Sequence, residues 1–490
     1  MPNFRETESN AQRHSTERPV IPNVLAERYA STPMVVLFSP ESKIVYEREL
    51  WVTVMKAQQE LGIDIPGAAI QAYEKVKDIV DLDSIKRREL VLRHDEKAKL
   101  EEFNEQAGHE YAHLGLTSRD QSDNVEQMQI KQGLLIIRDR AVATLARFAR
   151  LALEQNTLVY AERTHNAAAQ PSLMGKLFSN FGEELLIGFD RLETLIDKYP
   201  LRGLKGAVGT QTDQLQLLGD ARKVDLLEQK VAQFLGFKNV LGSVGQVYPR
   251  SLDFEGVSTL YQVVSGPASL AYTMRLMAGN EQFTEGFKEG QVGSTAMPHK
   301  MNSRSCERIK ALKETLAGHI TMAANISGEQ WYGGDVSDSA TRRVVLPDSF
   351  FATDGVFQTM LTVLDECGFY PAVIQKEVDK YLPFLTTTRL LMAAVDKGVG
   401  REIAHAAIRD HSVAVALDMR QKGVTENNLL DRLTKDSRLG LSKKQLDTAL
   451  ADPMQFVGNA PRQISNFVDR VEQVVNKYPE AAKYVPEEIL

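Results

Sequence analysis

The sequence predicts an all-α protein organised around a bundle of long helices, and three observations carry that prediction. From Asn124 to Gln155 there is no proline and a single glycine, Gly133, so one helix can run unbroken for nearly ~50 Å at ~1.5 Å per residue. Met174, Phe178, Phe181, Leu185, Phe189, Leu192 and Ile196 follow steps of 4, 3, 4, 4, 3 and 4, the apolar seam of a helix packed inside a bundle. No sustained period-two segment bounded by hairpin turns occurs, so strands are not expected.

The totals set the class. A chain of 490 residues implies about three domains and a large core. Lys and Arg number 58 against 65 Asp and Glu, a net charge of −7, and no basic block interrupts the balance, which argues against a nucleic-acid partner. Two cysteines, Cys306 and Cys367, exclude a disulfide framework and fit a reducing compartment. The first twenty residues lack the apolar core of a signal peptide, and no later run reaches membrane-span length. The expectation is a cytoplasmic protein without a membrane partner.

Taken in order, residues 1–20 read as a disordered N-terminal tail and 21–122 as a small helical domain. In that domain helical patterns cover about Glu41–Gly62, Pro66–Val80, a charged stretch from Asp83 that contains Arg93-His94-Asp95, and Glu101–His113. Residues 123–369 carry the long helices: Asn124–Gln155, a helix opened by Pro171, and patterns over Ser251–Ala278, Ser303–Ile326 and Pro347–Cys367. Shorter helices fill 370–490. So much apolar length in one bundle predicts helix-to-helix oligomerisation.

The chemistry concentrates in breaks between these patterns. Gly290 to Arg304, GQVGSTAMPHKMNSR, has glycines at 290 and 293 and a helix-barring Pro298, the composition of a mobile loop. It presents Ser294, Thr295, His299, Lys300 and Asn302, all able to bind an anion or move a proton. His165 sits between polar Arg163-Thr164 and three small alanines, open either to a ligand or to helix capping. His109-Glu110-Tyr111-Ala112-His113 matches the two-histidine zinc pattern of a metallohydrolase. The extended pattern fails, since Leu116 and Arg119 stand where glycine and histidine belong, and a carboxylate such as Glu126 must come from elsewhere. A zinc hydrolase and a non-catalytic helical scaffold are two readings that these features leave open.

Gly293-Ser294-Thr295-Ala296-Met297-Pro298-His299-Lys300-Met301-Asn302 matches a loop of the form GSSxMPxKxN. Arg28-Tyr29, Arg93-His94-Asp95, His113 with Thr117-Ser118, Arg163-Thr164-His165, Gln246, and Asp338-Ser339 to Arg342-Arg343 follow in matching order. On these residues the chain resembles the fumarase/aspartase superfamily and, within it, the adenylosuccinate lyases, which carry histidine at the place of His299. One departure is Gly334, where many members have arginine; Arg342 is the candidate replacement.

The resemblance implies a three-domain, fumarase/aspartase-like subunit assembled as a homotetramer, each active site drawing on three subunits, with no cofactor or metal. It implies elimination of fumarate from adenylosuccinate, giving AMP, and from the succinylated aminoimidazole carboxamide ribotide (SAICAR), giving AICAR. By the same resemblance His165 is the general acid and Ser294 the general base, with Lys300 and Asn302 meeting the developing charge and His94 contacting the nucleotide or orienting His165. Thr117, Ser118, Gln246 and Thr295 hold the succinyl carboxylates. Arg28, Tyr29, Ser339 and Arg343 cradle the phosphate, and Arg93 and Asp95 contact the nucleotide.

Overall fold

The structure, a computed structural model of the chain, describes residues 21–286, 296–297, 299–450 and 452–488. The expected tail, 1–20, lies outside the described residues. So do Ser294, Thr295 and much of the loop around them.

Short helices α1 (Val24–Arg28) and α2 (Thr32–Leu37) lead into α3 (Pro40–Glu60), α4 (Gly67–Val76), α5 (Leu82–Leu92) and α6 (Asp95–Ala107). Leu50, Trp51 and Val54 bury one face of α3. Beside Trp51, and over the same Phe103 ring, the buried Arg48 pairs with Glu102 of α6 and donates to the carbonyl of Val76 at 2.9 Å, pinning the end of α4. Two expectations fail here for backbone reasons. Arg93-His94-Asp95 lies between helices rather than within one: Arg93 is left-handed at φ 55° and closes α5, while His94 caps α6. Nor does α6 reach His113, because Gly108, at φ 69°, ends it.

The bundle is as its seam predicts. Helix α7 (Ser118–Glu154) spans 37 residues, longer than expected because a Thr117–Asp120 cap starts it earlier. Where strands were not expected, β1 (Val159–Thr164) and β2 (Ala167–Leu173) form an antiparallel hairpin. Pro171 pairs with Ala161 inside it, so the following helix, α8 (Met174–Lys198), begins at Met174 instead. Met174, Phe178, Leu185, Phe189 and Leu192 are buried along α8, each contributing roughly 1.5–3 kcal/mol. Gly175 lets α8 press against α7: a Cβ there meets the Ala152 carbonyl oxygen at 2.2 Å.

After α9 (Thr212–Leu218) and α10 (Ala221–Phe234), the Ser251–Ala278 pattern divides into α11 (Ser251–Val263) and α12 (Ser265–Gly279). Pro267 has no N–H to give the Val263 carbonyl, which interrupts the ladder there. Strand β3 (Phe283–Thr284) precedes α13 (Arg304–Ile326), and α14 (Ser339–Glu366) starts at Ser339, absorbing Pro347 in its interior rather than opening on it. Helices α7, α8, α11, α12, α13 and α14 pack on one another around the main core.

Strand β4 (Gly368–Phe369) pairs with β3 and leads to α15 (Pro371–Leu385), which packs across β1 and β2. Then α16 (Thr387–Val395), α17 (Arg401–Gln421), α18 (Leu429–Thr434) and α19 (Lys443–Leu450) gather a second core around Leu390, Ala404, Leu429 and Leu446. The last long helix, α20 (Ala460–Lys477), returns to lie on α7 and α8. Among the described residues no helix is long and apolar enough to cross a membrane.

Candidate active site

One carboxylate builds the N-terminus of α7. Thr117 donates its backbone N–H and hydroxyl to Asp120 Oδ2 at 2.9 and 3.1 Å. Oδ1 accepts from Arg202 at 2.6 Å and from the backbone N–H groups of Lys205 and Gly206 at 2.8 and 3.0 Å. Arg202 donates onward to the Gly245 carbonyl at 3.1 Å, and the Gln246 N–H donates to the Gly333 carbonyl at 2.6 Å. Thr117, Ser118 and Gln246 are thereby set on one framework. The side chains of Ser118 and Gln246 are half-buried and make no hydrogen bond among the described residues. Free hydroxyl and amide groups beside a helix N-terminus suit a carboxylate.

Arg93, His94 and Asp95 are exposed close by. His94 Nδ1 accepts from the Lys97 N–H at 3.3 Å, which leaves the proton of a neutral ring on Nε2. His113, itself left-handed at φ 74°, accepts at Nδ1 from Trp51 Nε1 at 3.0 Å. Burial lowers its pKa, Asp120 opposes that, and the charge of His94 reaches it, so both rings face one neighbourhood. The zinc pattern does not form: His109 and His113 lie beyond the end of α6 on no common helix face, and Glu126 is engaged elsewhere.

The second group is the turn of the hairpin. His165 and Asn166, at φ 53° and 59°, are a two-residue loop of the kind that matches strand twist. The geometry resolves the choice left open by the sequence: His165 caps no helix but stands exposed at a hairpin tip. It makes no hydrogen bond or ion pair among the described residues, whereas Arg163 donates to the Asn166 carbonyl at 3.0 Å. A cavity of about 710 Å³ lies behind the turn, lined by Arg163, Thr164 and Asn166.

The third group surrounds the end of the loop. His299 and Lys300 are exposed, and together with Asn302, Arg275 and Tyr370 they line a cavity of about 820 Å³. This cavity adjoins the one behind the hairpin along Tyr272 and Leu276 of α12. Glu285 occupies the N-terminus of α13, accepting from Ser305 and Cys306 N–H at 3.0 and 2.6 Å. Two cations overlooked in the sequence belong here. Arg308 lies 5.5 Å from the Tyr29 ring centre, and burial holds its pKa below the ordinary value; Tyr29 opposes that, and Arg304 and Arg28 add to it. Helical spacing places Arg304 and Arg308 one turn apart on one face of α13, a signal available in the sequence.

Ser339 and Arg343 lie in the first turns of α14, with Arg343 exposed. Arg342 does not replace an arginine at 334: it is buried, 2.7 Å from both Glu126 and Asp253 and 2.5 Å from the Tyr248 hydroxyl. Burial pushes the Glu126 carboxyl up, but Arg342, Lys43 and Arg250 hold it down to about 2, so the pair stays ionised. Gly334 itself, at φ 116°, has no room for a side chain, since a Cβ falls 2.6 Å from Val247 Cγ2.

Comparison with known proteins follows the same outline. The lyase family model matches residues 40–318, and the model described as adenylosuccinate lyase C-terminus matches residues 383–467. The adenylosuccinate lyase of Saccharomyces cerevisiae is 33% identical over 470 residues, 95% of this chain and 97% of that protein. That of Schistosoma mansoni is 32% identical over 462 residues, 93% of this chain and 96% of its own. In fold, the chain is similar to a fumarate lyase from a Mesorhizobium species, with a TM-score of 0.75, 20% identity, and 92% and 100% of the two chains covered. It is similar also to the 3-carboxy-cis,cis-muconate lactonizing enzyme of Pseudomonas putida, with a TM-score of 0.79, 17% identity, and 92% and 99% covered.

Proposed function

The chain belongs to the adenylosuccinate lyase family of the fumarase/aspartase superfamily, and on that premise we propose how its residues divide the chemistry. The enzyme is a C–N lyase of purine biosynthesis that splits adenylosuccinate into AMP and fumarate, and the same elimination converts SAICAR to AICAR.

One observation supports this reading of the site above others. Arg28, Arg304, Arg308 and Arg343 make no ion pair among the described residues, whereas Arg48, Arg202, Arg250 and Arg342 are each matched by carboxylates. In a chain of net charge −7, unmatched guanidiniums fit the phosphate and carboxylates of this substrate. Arg28, Tyr29, Ser339 and Arg343 take the phosphate, assisted by Arg304 and Arg308. Arg93 and Asp95 take the nucleotide. Thr117, Ser118, Gln246, Thr295 and Asn302 hold the succinyl carboxylates.

Removing the proton beside a carboxylate drives an electron pair onto that group, and Lys300 and Asn302 meet the growing charge. As the C–N bond breaks, His165 delivers a proton to the purine nitrogen, with His94 near the nucleotide. Ser294 takes the carbon-bound proton, a role drawn from the family pattern. Its hydroxyl is a weak acid and needs a cation such as Lys300 to act so.

Three groups of site residues spread over one chain, with Ile187 and Tyr272 exposed on bundle helices at 69% and 54%, support assembly into a homotetramer with shared sites. A cytoplasmic setting suits the free thiols Cys306 and Cys367. The test is turnover of adenylosuccinate by purified protein, followed as AMP and fumarate, beside His165→Gln. Loss of turnover in that variant with nucleotide binding kept is the expected result. A variant as fast as the parent moves the acid role elsewhere.

A further inference from the structure

A cavity rich in cations lies on the flank of the bundle, and none of the residues assigned to the reaction lines it. It encloses about 640 Å³ between the middle of α7, the ends of α8 and α20, and the loop that follows α10. Helices α8 and α20 run parallel, with Glu183 paired to Arg470 and, further along, Glu193 to Lys477 at 2.6 Å, so both C-termini reach the cavity. Lys131, Arg138, Lys198, Lys238 and Lys477 line it against only two carboxylates, Glu193 and Asp197, in a chain that is acidic as a whole. Negative carbonyls at the helix ends account for Lys198 and Lys477, the last residues of α8 and α20. They do not account for Lys131 and Arg138, which stand two turns apart on one face of α7, well inside that helix.

The cations are held but not all matched. Lys238 pairs with Asp197, Lys477 with Glu193 and Arg138 with its neighbour Asp139, whereas Lys131 and Lys198 pair with no carboxylate among the described residues. Lys131 instead donates to the Gly236 carbonyl and lies 4.1 Å from the centre of the Phe237 ring. The Tyr478 ring steadies two more, its centre 4.4 Å from the Arg138 guanidinium carbon and 4.9 Å from Lys477 Nζ. Burial first, then the charge of Lys238, holds the Lys131 ammonium below its ordinary pKa, so like charges repel across the cavity. We propose that this cavity is a second ligand site, separate from the catalytic one, and that it takes a small anion of linked phosphate groups. A single carboxylate leaves most of the positive charge uncompensated. Two or three linked phosphates carry the charge, and enough acceptor oxygens, to meet Lys131, Lys198 and the Arg138 fork together. The volume lies within the range of small-molecule sites, and cations confined to one cavity suit a small molecule rather than a polymer.

The test titrates inorganic tripolyphosphate into the full chain in its assembled state and follows binding by calorimetry, with inorganic phosphate and ATP as further probes. Tripolyphosphate is expected to bind, and Lys131→Gln combined with Lys198→Gln to weaken it about tenfold or more, the effect of removing charge-assisted contacts. Melting temperature and adenylosuccinate turnover stay unchanged in that double variant, and Lys131→Arg with Lys198→Arg keeps the affinity. Should the double variant fail to fold, Lys198→Gln alone, at an exposed position, carries the same expectation. Arg343→Gln, in the proposed phosphate cradle, separates the two sites, and tripolyphosphate affinity should survive it. Affinity lost in Arg343→Gln and kept in the lysine variants puts the probe in the catalytic site and overturns the proposal. So does a parent that binds no tripolyphosphate, or one that binds inorganic phosphate as tightly. ATP that displaces tripolyphosphate and binds more tightly identifies a nucleotide as the source of the phosphates; weaker binding of ATP identifies an inorganic chain.

Discussion

Asp120 and Arg202 meet at 2.6 Å with both side chains fully buried, and from this pair hang the cap of α7, the 202–206 turn and the backbone next to Gln246. A buried charge stripped of its partner is costly, whereas removing both members is cheaper. Asp120→Ala is accordingly expected to lose about 3–5 kcal/mol of stability in denaturant unfolding, and Asp120→Ala with Arg202→Met to recover part of it. Equal losses for the single and double variants would show that the pair is not what holds this corner.

Neighbouring arginines should respond in opposite ways. Arg342 is enclosed by Glu126, Asp253 and Tyr248, whereas Arg343 is exposed and unmatched among the described residues. Arg343→Gln is expected to raise KM for adenylosuccinate about tenfold or more with melting temperature unchanged, because a lost charge-assisted contact is worth about 1.5–3 kcal/mol. Arg342→Gln should instead lower the melting temperature sharply. Thermal unfolding and steady-state kinetics on both variants decide the matter, and a KM effect from Arg342→Gln without destabilisation refutes the division.

The split between these two residues also marks what was legible in the sequence. The bundle was readable because the 174–196 seam repeats at helical spacing over many turns, and such repetition leaves one packing solution. The hairpin was not: β1 and β2 are short, β2 begins with three alanines, and His165-Asn166 is not a glycine turn, so no strand signal rose above the helical background. The motifs name candidate site residues through family pattern, but which of two adjacent arginines is buried depends on where α14 begins. A proline at 347 hid that start. Arg304 and Arg308 were missed because a guanidinium on a helix looks alike in sequence whether or not a carboxylate awaits it.

Stability should fall as pH rises through neutrality because of a carboxyl pair beneath Arg93-His94-Asp95. Lys99 lies 2.7 Å from Glu47 on α3 and 3.1 Å from Glu96 on its own helix, so one ammonium serves two buried carboxylates. Burial first, then Glu47, pushes the Glu96 carboxyl up to about 7, with Lys99 opposing and Asp95 adding to the rise. A folded-state value above the unfolded one means that the native form holds its proton more tightly. The stabilisation is thus complete below the ordinary carboxylate range and disappears as pH climbs through about 7. Glu96→Gln, which mimics the protonated form, should match the parent at pH 5 and exceed it in melting temperature at pH 8. Parallel profiles across that window would remove Glu96 as the source.

Restoring the family arginine should harm the enzyme. At φ 116°, Gly334 adopts backbone that side chains rarely accept, and its Cβ position is blocked by Val247. Gly334→Arg is expected to destabilise the 331–338 turn and raise KM rather than lower it. A tighter KM in that variant would mean that the turn rearranges to admit the side chain.

The hairpin tip offers a test of the proposed proton-donor geometry that leaves His165 and every other proposed catalytic group unchanged. Asn166 sits at φ 59° directly after His165, and its carbonyl takes the Arg163 hydrogen bond. Glycine accepts that backbone freely, asparagine accepts it with modest cost, and a β-branched residue does not. Asn166→Gly should therefore keep kcat within about twofold, since backbone and carbonyl both survive. Asn166→Val must flatten the turn or break the pairing of Thr164 with Ala167, and either change carries the imidazole away from its place. Its expected effect is a fall in kcat of about a hundredfold, the size associated with a misplaced catalytic group. Melting temperature should change little, because the tip is exposed and the bundle beneath it is untouched. If Asn166→Val and Asn166→Gly turn over substrate alike, the position of His165 is set by the bound nucleotide rather than by the turn.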